Sequence, residues 1–178
     1  MEIILAENHG FCYGVKRAVE MANEAADSDG KSYTLGPIIH NPQVVGRLES
    51  KGVSPIQEVS DIDEGTMIIR SHGVGPAIYE EAEEKGLNIL DATCPHVKKA
   101  QQDAKSVIED GMTLVILGEK NHPEVKSIDL WAKNKGIIIE DEESAENLQI
   151  VEKMGVVVQT TFSQFKFNSI IEILEKKS

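Results

Sequence analysis

Short continuous apolar runs alternate with amphipathic stretches along this chain. Runs of this length, bounded by Gly, Pro and polar residues, are typical of strands buried on both faces of a parallel sheet. The predicted strands are 2–6, 33–36, 66–70, 87–90, 113–117, 136–139 and 155–158. Between them, apolar residues recur at helical spacing, as at Val97, Ala100 and Ala104. The pattern therefore predicts an α/β fold, a mostly parallel sheet flanked by helices.

Glycines and prolines mark the ends of the predicted helices. Glycine ends helices because it tolerates positive φ, and proline is favoured in their first turn. The glycines are Gly30, Gly86 and Gly111, and the prolines are Pro42, Pro76, Pro95 and Pro123. Residues 91–95 close the first group of strands, so we predict two similar lobes, 1–96 and 97–178. No Ser/Gly-rich linker separates them, which predicts that they pack closely.

The acidic composition narrows the classes of ligand. The 178 residues carry a formal net charge of -12, which argues against a nucleic-acid partner because such proteins need clustered Lys and Arg. An anionic ligand has to be held by local donors such as histidines and helix N-termini. No segment has the length of a membrane span or the form of a signal peptide, so we expect a cytoplasmic protein.

Both cysteines of the chain follow predicted strands and precede predicted helices. Cys94 directly precedes Pro95, where the helix dipole favours the thiolate that binds metal. Cys12 lies between Gly10 and Gly14, whose small size lets a bulky ligand approach the backbone. A single loop cysteine is more often a small packing residue. The placement of both nevertheless favours soft-metal ligands.

Three of the five histidines also follow predicted strands, namely His40, His72 and His122. Such residues are usually solvated or cap a helix, but three at one sheet edge supply the donors that a diphosphate requires. Glu124 is a candidate proton donor, with a solvated carboxylate at a helix start as the alternative. Thr160 and Thr161 are candidates for holding a phosphate or a proton-relaying water, with helix capping as the alternative.

The motifs in these loops resemble one enzyme family. GFCYGVKRA, HNPQVV, RSHGV, DATCP, NHPEV and QTT occur in this order between residue 1 and about residue 165. The set resembles the 4-hydroxy-3-methylbut-2-enyl diphosphate reductases, the LytB-type iron–sulfur enzymes of the non-mevalonate isoprenoid pathway. Any single motif is weak evidence, whereas six in order, each at a predicted strand end, make coincidence improbable.

The resemblance implies a fold and a reaction. The family has three α/β lobes in pseudo-threefold arrangement around a 4Fe–4S cluster, with one iron open to the substrate hydroxyl. It implies reductive dehydroxylation to isopentenyl and dimethylallyl diphosphates, with electrons from ferredoxin or flavodoxin. Carried over by motif, Cys12 and Cys94 are cluster ligands. The diphosphate contacts are His40, His72 and His122, Glu124 relays a proton, and Thr160 helps to place that proton.

The chain departs from the family pattern in one respect. The family's third cysteine, and the Ser- and Asn-bearing loops that complete the diphosphate pocket, come from a third lobe that these residues do not include. The resemblance therefore implies a chain truncated before that lobe, in which strand 2–6 lacks its partner. We expect this chain alone to be inactive, and to self-associate through the apolar surface that the third lobe covers.

Two other functions stay open on the sequence. A diphosphate-binding fragment, or a scaffold lobe that needs a partner chain, explains the same histidines without catalysis. A mononuclear zinc hydrolase, with zinc on Cys12, Cys94 and a histidine, is disfavoured because closely spaced ligand pairs are absent. A dinucleotide-binding domain is weaker still, since no Gly-x-Gly-x-x-Gly follows the first predicted strand.

Overall fold

The structure, a computed structural model, describes residues 3–7, 9–28 and 30–177. Its helices are α1 (Tyr13–Ala26), α2 (Pro42–Ser50), α3 (Pro76–Glu84), α4 (Pro95–Glu109), α5 (Pro123–Trp131), α6 (Glu142–Glu146) and α7 (Gln164–Leu174). Its strands are β1 (Ser32–Leu35), β2 (Val53–Ile56), β3 (Thr66–Ile69), β4 (Asn88–Asp91), β5 (Thr113–Leu117), β6 (Ile137–Ile139) and β7 (Met154–Val158). All four prolines named above are the first residues of helices.

The strands form two parallel sheets, which confirms the predicted fold class. The first has the order β2-β1-β3-β4 and the second the order β6-β5-β7. Every pairing is parallel, in register from Ser32 with Thr66 in the first sheet and from Thr113 with Met154 in the second. The sheets divide between β4 and β5, and the exact lobe boundary at 96/97 stays a prediction.

Helices cover both faces of each sheet, which explains the continuous apolar runs. Successive residues of β3 alternate between two cores, with Ile68 packed towards α1 and α2 and Met67 towards α3. In β5 the residue Ile116 packs in the core with α4 and α5, whereas Leu117 packs with α6 and α7. All four side chains are inaccessible to solvent, so both faces of each strand need apolar residues.

Two strand predictions differ from the structure. The pattern missed β2, because Val53-Ser54-Pro55-Ile56 has a proline that argues against a central strand. As the outermost strand of its sheet, β2 tolerates Pro55. The predicted strand 2–6 is not formed by residues 3–6, which pair with neither sheet. Ile3, Ile4 and Leu5 are at least 75% exposed; Glu2 lies outside the described residues.

Hydrogen bonds and close contacts join the two lobes along α5. The Ser127 hydroxyl donates to the His72 carbonyl oxygen at 2.9 Å, and the Trp131 indole N–H donates to the Val74 carbonyl oxygen at 2.9 Å. Leu130 contacts Gly75 so closely that a Cβ there would lie 2.8 Å from it. Both donors come from the second lobe and both acceptors from the loop after β3, so this loop has a fixed position on α5.

No helix within the described ranges combines the length and the apolar character that crossing a bilayer requires.

Candidate functional site

The loops after β1, β3 and β5 bring three histidines together. The ring centroids of His40 and His72 are 4.6 Å apart, those of His72 and His122 are 5.4 Å apart, and those of His40 and His122 are 6.2 Å apart. The strands belong to different sheets, so this three-histidine cluster spans both lobes. The structure thus brings together the residues that the sequence placed at strand ends.

His72 is a half-buried member of the cluster. Burial lowers its pKa to about 4, and the neighbouring charges of His40, Arg70 and His122 add to this effect. Its Nδ1 atom is buried and has no hydrogen-bond partner among the described residues. The His72 side chain is therefore uncharged at neutral pH.

His122 is fixed as a donor towards the cluster. It is the N-cap of α5, and its Nδ1 atom accepts a hydrogen bond from the Glu124 backbone N–H at 3.2 Å. A neutral imidazole that accepts at Nδ1 carries its proton on Nε2. An Nε2–H group donates to an anion and has no lone pair for a metal. Although one nitrogen from each histidine lies within 4.8 Å of the others, this tautomer favours an anionic ligand.

Glu124 and Thr160 form a buried carboxyl–hydroxyl pair between α5 and the loop after β7. Glu124 is only 2% exposed. One carboxyl oxygen accepts from the Thr160 backbone N–H at 2.6 Å and the other from the Thr160 hydroxyl at 2.8 Å. Thr160 itself is exposed, so the buried carboxyl group is bonded to a residue at the surface.

The hydroxyl of Thr161 has a different partner. It accepts a hydrogen bond from the Gln159 side-chain amide at 2.9 Å, and the Gln159 side-chain oxygen accepts from the Glu119 N–H at 2.9 Å. The helix-capping alternative for Thr160 and Thr161 is not seen, because the N-cap of α7 is Ser163. A substrate contact by Thr161 stays a prediction.

Both cysteines are N-cap residues, as their positions predicted. Cys12 caps α1 and Cys94 caps α4, and neither side chain makes a capping hydrogen bond. Both thiols are free, with Cys12 exposed and Cys94 half-buried. The Cys94 sulfur lies against the first turn of α1, because a Cβ on Gly14 would be 2.6 Å from it.

Two residues that the sequence reasoning did not assign hold the Cys94 loop. The Arg17 guanidinium donates to the carbonyl oxygens of Thr93 and Asp91 at 3.2 and 3.5 Å. The Asp91 carboxylate accepts from the Thr93 N–H at 2.9 Å and pairs with Lys98 at 2.6 Å. Burial opposes ionisation of Asp91, but hydrogen bonds from Lys98 and Thr93 outweigh it, and its pKa lies below the ordinary value.

Both residues stand inside the quoted motifs GFCYGVKRA and DATCP. Their adjacency to the cysteines was the available signal. Their partners depend on the distance between α1 and β4, which periodicity does not give.

A protein-family model and several curated proteins match this chain. The family model described as "LytB protein" matches residues 3–178. The 4-hydroxy-3-methylbut-2-enyl diphosphate reductase of Geobacter metallireducens is 49% identical over 178 residues, covering 99% of this chain and 63% of that protein. The reductase of the same name from Caldanaerobacter subterraneus subsp. tengcongensis is 46% identical, covering 100% of this chain and 64% of that protein.

Two solved structures share the fold. The E-1-hydroxy-2-methyl-but-2-enyl-4-diphosphate reductase from Plasmodium falciparum superposes with a TM-score of 0.90 at 31% identity, over 96% of this chain and 55% of that one. The (E)-4-hydroxy-3-methyl-but-2-enyl diphosphate reductase described as the terminal enzyme of the non-mevalonate pathway gives a TM-score of 0.81 at 43% identity. That match covers 97% of this chain and 63% of the other.

The chain spans less than two thirds of the length of these relatives. The family model nevertheless matches nearly its whole length. The two parallel sheets, the N-cap cysteines and the three-histidine cluster agree with this match. This chain therefore belongs to the LytB protein family.

Proposed function

We propose that this chain forms the first two lobes of an enzyme that reductively removes the hydroxyl group of 4-hydroxy-3-methylbut-2-enyl diphosphate. The products are isopentenyl and dimethylallyl diphosphate. The names of the relatives support this reaction. The observation that carries the proposal is the three-histidine cluster, because His122 presents a fixed N–H donor to an anion.

Diphosphate binding follows from the polarity of the cluster. The net charge of -12 excludes a general attraction for anions, so short-range donors have to supply the binding energy. His122 donates through Nε2, and the N-cap of α2 is Asn41, directly after His40. The positive ends of α2 and α5 thus add to the imidazole donors.

Proton delivery is assigned to Glu124 through Thr160. Glu124 is almost fully buried, whereas Thr160, whose hydroxyl bonds to its carboxyl group, is an exposed residue. In its protonated form Glu124 donates to the Thr160 oxygen while Thr160 gives its own hydroxyl proton to the substrate hydroxyl. The substrate hydroxyl then leaves as water and Glu124 becomes a carboxylate. Two electrons and two protons balance the removal of one hydroxyl as water and the gain of one hydrogen.

Cys12 and Cys94 fit the role of iron ligands. They are free thiols at two helix N-termini, and the small Gly14 leaves room for the Cys94 sulfur. A bound 4Fe–4S cluster would supply single-electron transfer and a Lewis-acidic iron for the hydroxyl oxygen. We assign Cys12 and Cys94 to hold it, with Arg17 fixing the Cys94 loop.

A complete cluster site requires a third thiolate, and this sequence has two cysteines. The electron donor is proposed to be a ferredoxin or flavodoxin, and the free thiols suit a reducing compartment such as the cytoplasm. The alternative for the isolated chain is a diphosphate-binding module without catalysis. The zinc alternative is weakened by the tautomer of His122.

Anaerobic reconstitution with iron and sulfide tests the cysteine assignment. We expect bound iron and sulfide to be lost on Cys12→Ser and on Cys94→Ser, as measured by metal counting and electron paramagnetic resonance. His96→Asn, in the first turn of α4, is the matched control because it leaves both thiols in place. Iron bound equally by both serine variants would contradict the assignment.

Diphosphate binding is tested by calorimetry with inorganic diphosphate. His122→Asn keeps a good N-cap for α5 but removes the Nε2 donor, so we expect affinity to fall about 10–100-fold. His96→Asn again serves as the control. Equal affinity of both variants for diphosphate would remove His122 from the site.

Glu124→Gln tests the proton relay in the reductase completed with its third lobe. The new side-chain amide still accepts from the Thr160 N–H through its oxygen, and its NH₂ group donates to the Thr160 hydroxyl. The free energy of unfolding should therefore stay within about 1 kcal/mol of wild type. Turnover should fall about 100-fold or more, because the amide has no proton to transfer. Unchanged turnover would contradict the relay.

A further inference from the structure

A cleft lies between the two lobes, beside the loop after β3, and Arg70 of that loop lines it. It has a volume of about 410 Å³, in the range of small-molecule sites. The walls come from that loop and α3 on one side and from α5 on the other. None of the three clustered histidines lines it, but their neighbours Gly73, Asn121 and Pro123 do, so this interlobe cleft adjoins the three-histidine cluster without including it.

The charged side chains that line the interlobe cleft are both cationic. Arg70 and Lys126 line it, and none of its lining residues carries a carboxylate. The composition of the chain makes this unexpected, because acidic residues outnumber Lys and Arg by 30 to 18. A cleft with two cations and no acid is therefore selective for anions.

Arg70 has no partner for its charge among the described residues. Its Nε atom is buried without a hydrogen-bond partner, and its side chain joins none of the ion pairs of the described chain. Burial lowers the pKa of Arg70, because the charged guanidinium loses solvation without gaining a counter-charge. A partly buried cation without a partner indicates that an anion completes its coordination.

Backbone geometry keeps room for the guanidinium and fixes the cleft walls. Gly36 has φ +69°, and a Cβ there would lie 2.9 Å from an Arg70 Nη atom. Across the cleft, the bonds from Ser127 to the His72 carbonyl and from Trp131 to the Val74 carbonyl hold α5 against the loop. The cleft is thus preformed, which reduces the entropic cost of binding a ligand.

The apolar part of the wall includes Val74, Ile78 and Leu130, and the uncharged polar residues of the lining are Gln57, Asn121 and Ser127. An inorganic ion would leave this wall in contact with water. A ligand with a short hydrocarbon portion would bury it and gain hydrophobic free energy in addition to the ionic contacts.

We propose that the interlobe cleft binds a small organic anion, with its oxyanion group between Arg70 and Lys126 and its hydrocarbon portion on Val74, Ile78 and Leu130. The ligand class is a short-chain alkyl phosphate or carboxylate. This site goes beyond the proposed reductase function, because its residues differ from those assigned to diphosphate binding.

The test is a titration of the 178-residue chain with butyl phosphate, inorganic phosphate and valerate at constant ionic strength, followed by amide NMR. We expect shifts at Gly36, Val74, Lys126 and Leu130. Butyl phosphate should bind at least about tenfold more tightly than inorganic phosphate because the wall buries its alkyl chain. The ratio between butyl phosphate and valerate identifies which oxyanion the cleft prefers.

Lys126→Met should weaken butyl phosphate binding about 3- to 10-fold, whereas Lys120→Met, an exposed change of equal charge outside the cleft, should not. Arg70→Lys keeps the positive charge but loses the paired N–H donors of the guanidinium. It should weaken butyl phosphate binding more than Lys126→Met does. Equal loss in Lys126→Met and Lys120→Met would show general charge attraction and overturn the proposal. Shifts confined to residues that do not line the cleft, such as His40 and Asn41, would overturn it as well.

Discussion

His72 links the chemistry of the three-histidine cluster to the stability of the fold. Its pKa falls from 6.5 to about 4 through burial and the charges of His40, Arg70 and His122. An unfolded chain takes up a proton at this side chain below about pH 6.5, whereas the folded chain resists protonation down to about pH 4. The contribution of His72 to the free energy of unfolding is therefore constant above about pH 6.5, and it becomes unfavourable as the pH falls towards 4.

The pH dependence of unfolding tests this coupling. Between about pH 7 and about pH 4.5 we expect wild type to lose more unfolding free energy than His72→Asn, by at most ~3 kcal/mol. Urea denaturation at each pH gives the difference, and carboxylates contribute equally to both proteins. His96→Asn is the control. A pH slope for His72→Asn that matches that of wild type would mean that His72 is not held neutral.

For single residues, the sequence predicted where the site side chains lie in the fold better than which residues they contact. Pro95 and the glycines around Cys12 were enough to place both thiols at helix starts. The contact of Thr160 with Glu124 joins residues 36 positions apart and depends on how α5 packs beside β7. Neither periodicity nor local propensity encodes such a distance. The same holds for the tautomer of His122, which is set by one backbone N–H.

Among the elements, the helix N-termini carry most of the candidate chemistry. Cys12, Cys94 and His122 cap three helices, and Asn41 caps a fourth directly after His40. Parallel strands make this possible, because each strand ends at the same edge where the next helix begins. The sequence predicted three of these starts from proline positions and the start after Cys12 from the glycines around it. It missed β2 because Pro55 argued against a strand there.

Two glycines within helices provide a matched test of the α1–Cys94 contact. Gly14→Ala in α1 places a Cβ 2.6 Å from the Cys94 sulfur, so the helix or the loop has to move. We expect a loss of about 1–3 kcal/mol in unfolding free energy. Gly46→Ala in α2 meets no atom within 4 Å and should gain about 0.5–1 kcal/mol.

Urea denaturation measures both glycine variants, and the rate of Cys94 alkylation reports whether the thiol becomes more accessible in Gly14→Ala. Equal effects of the two substitutions would mean that α1 does not contact Cys94 as described.

For the whole molecule, exposed apolar residues at the start of the described chain are the feature that bears on assembly. Ile3, Ile4 and Leu5 are 76%, 84% and 75% exposed, and Phe11 and Tyr13 are also exposed. Consecutive exposed apolar residues are uncommon on monomers and mark interaction sites. The expectation of self-association was made from the sequence alone, and it stays a prediction.

Sedimentation velocity over a wide concentration range tests it. We expect wild type to associate, and the double change Ile4→Lys and Leu5→Lys to reduce association. Ile150→Lys, at a residue that is 81% exposed on the second lobe, is the matched control. A wild type that stays monomeric throughout, or equal association of both variants, would contradict the role of this surface.

Each sheet is built from consecutive chain segments, and this has a consequence for biosynthesis. All four strands of the first sheet are complete at Asp91, before β5 begins at Thr113. During translation, domains fold as units in order of their emergence from the ribosome. The first sheet can therefore close while the second is still being synthesised. Cys12 and Cys94 flank this sheet in sequence, so we expect both thiols to take their places early, while the nascent chain is still tethered.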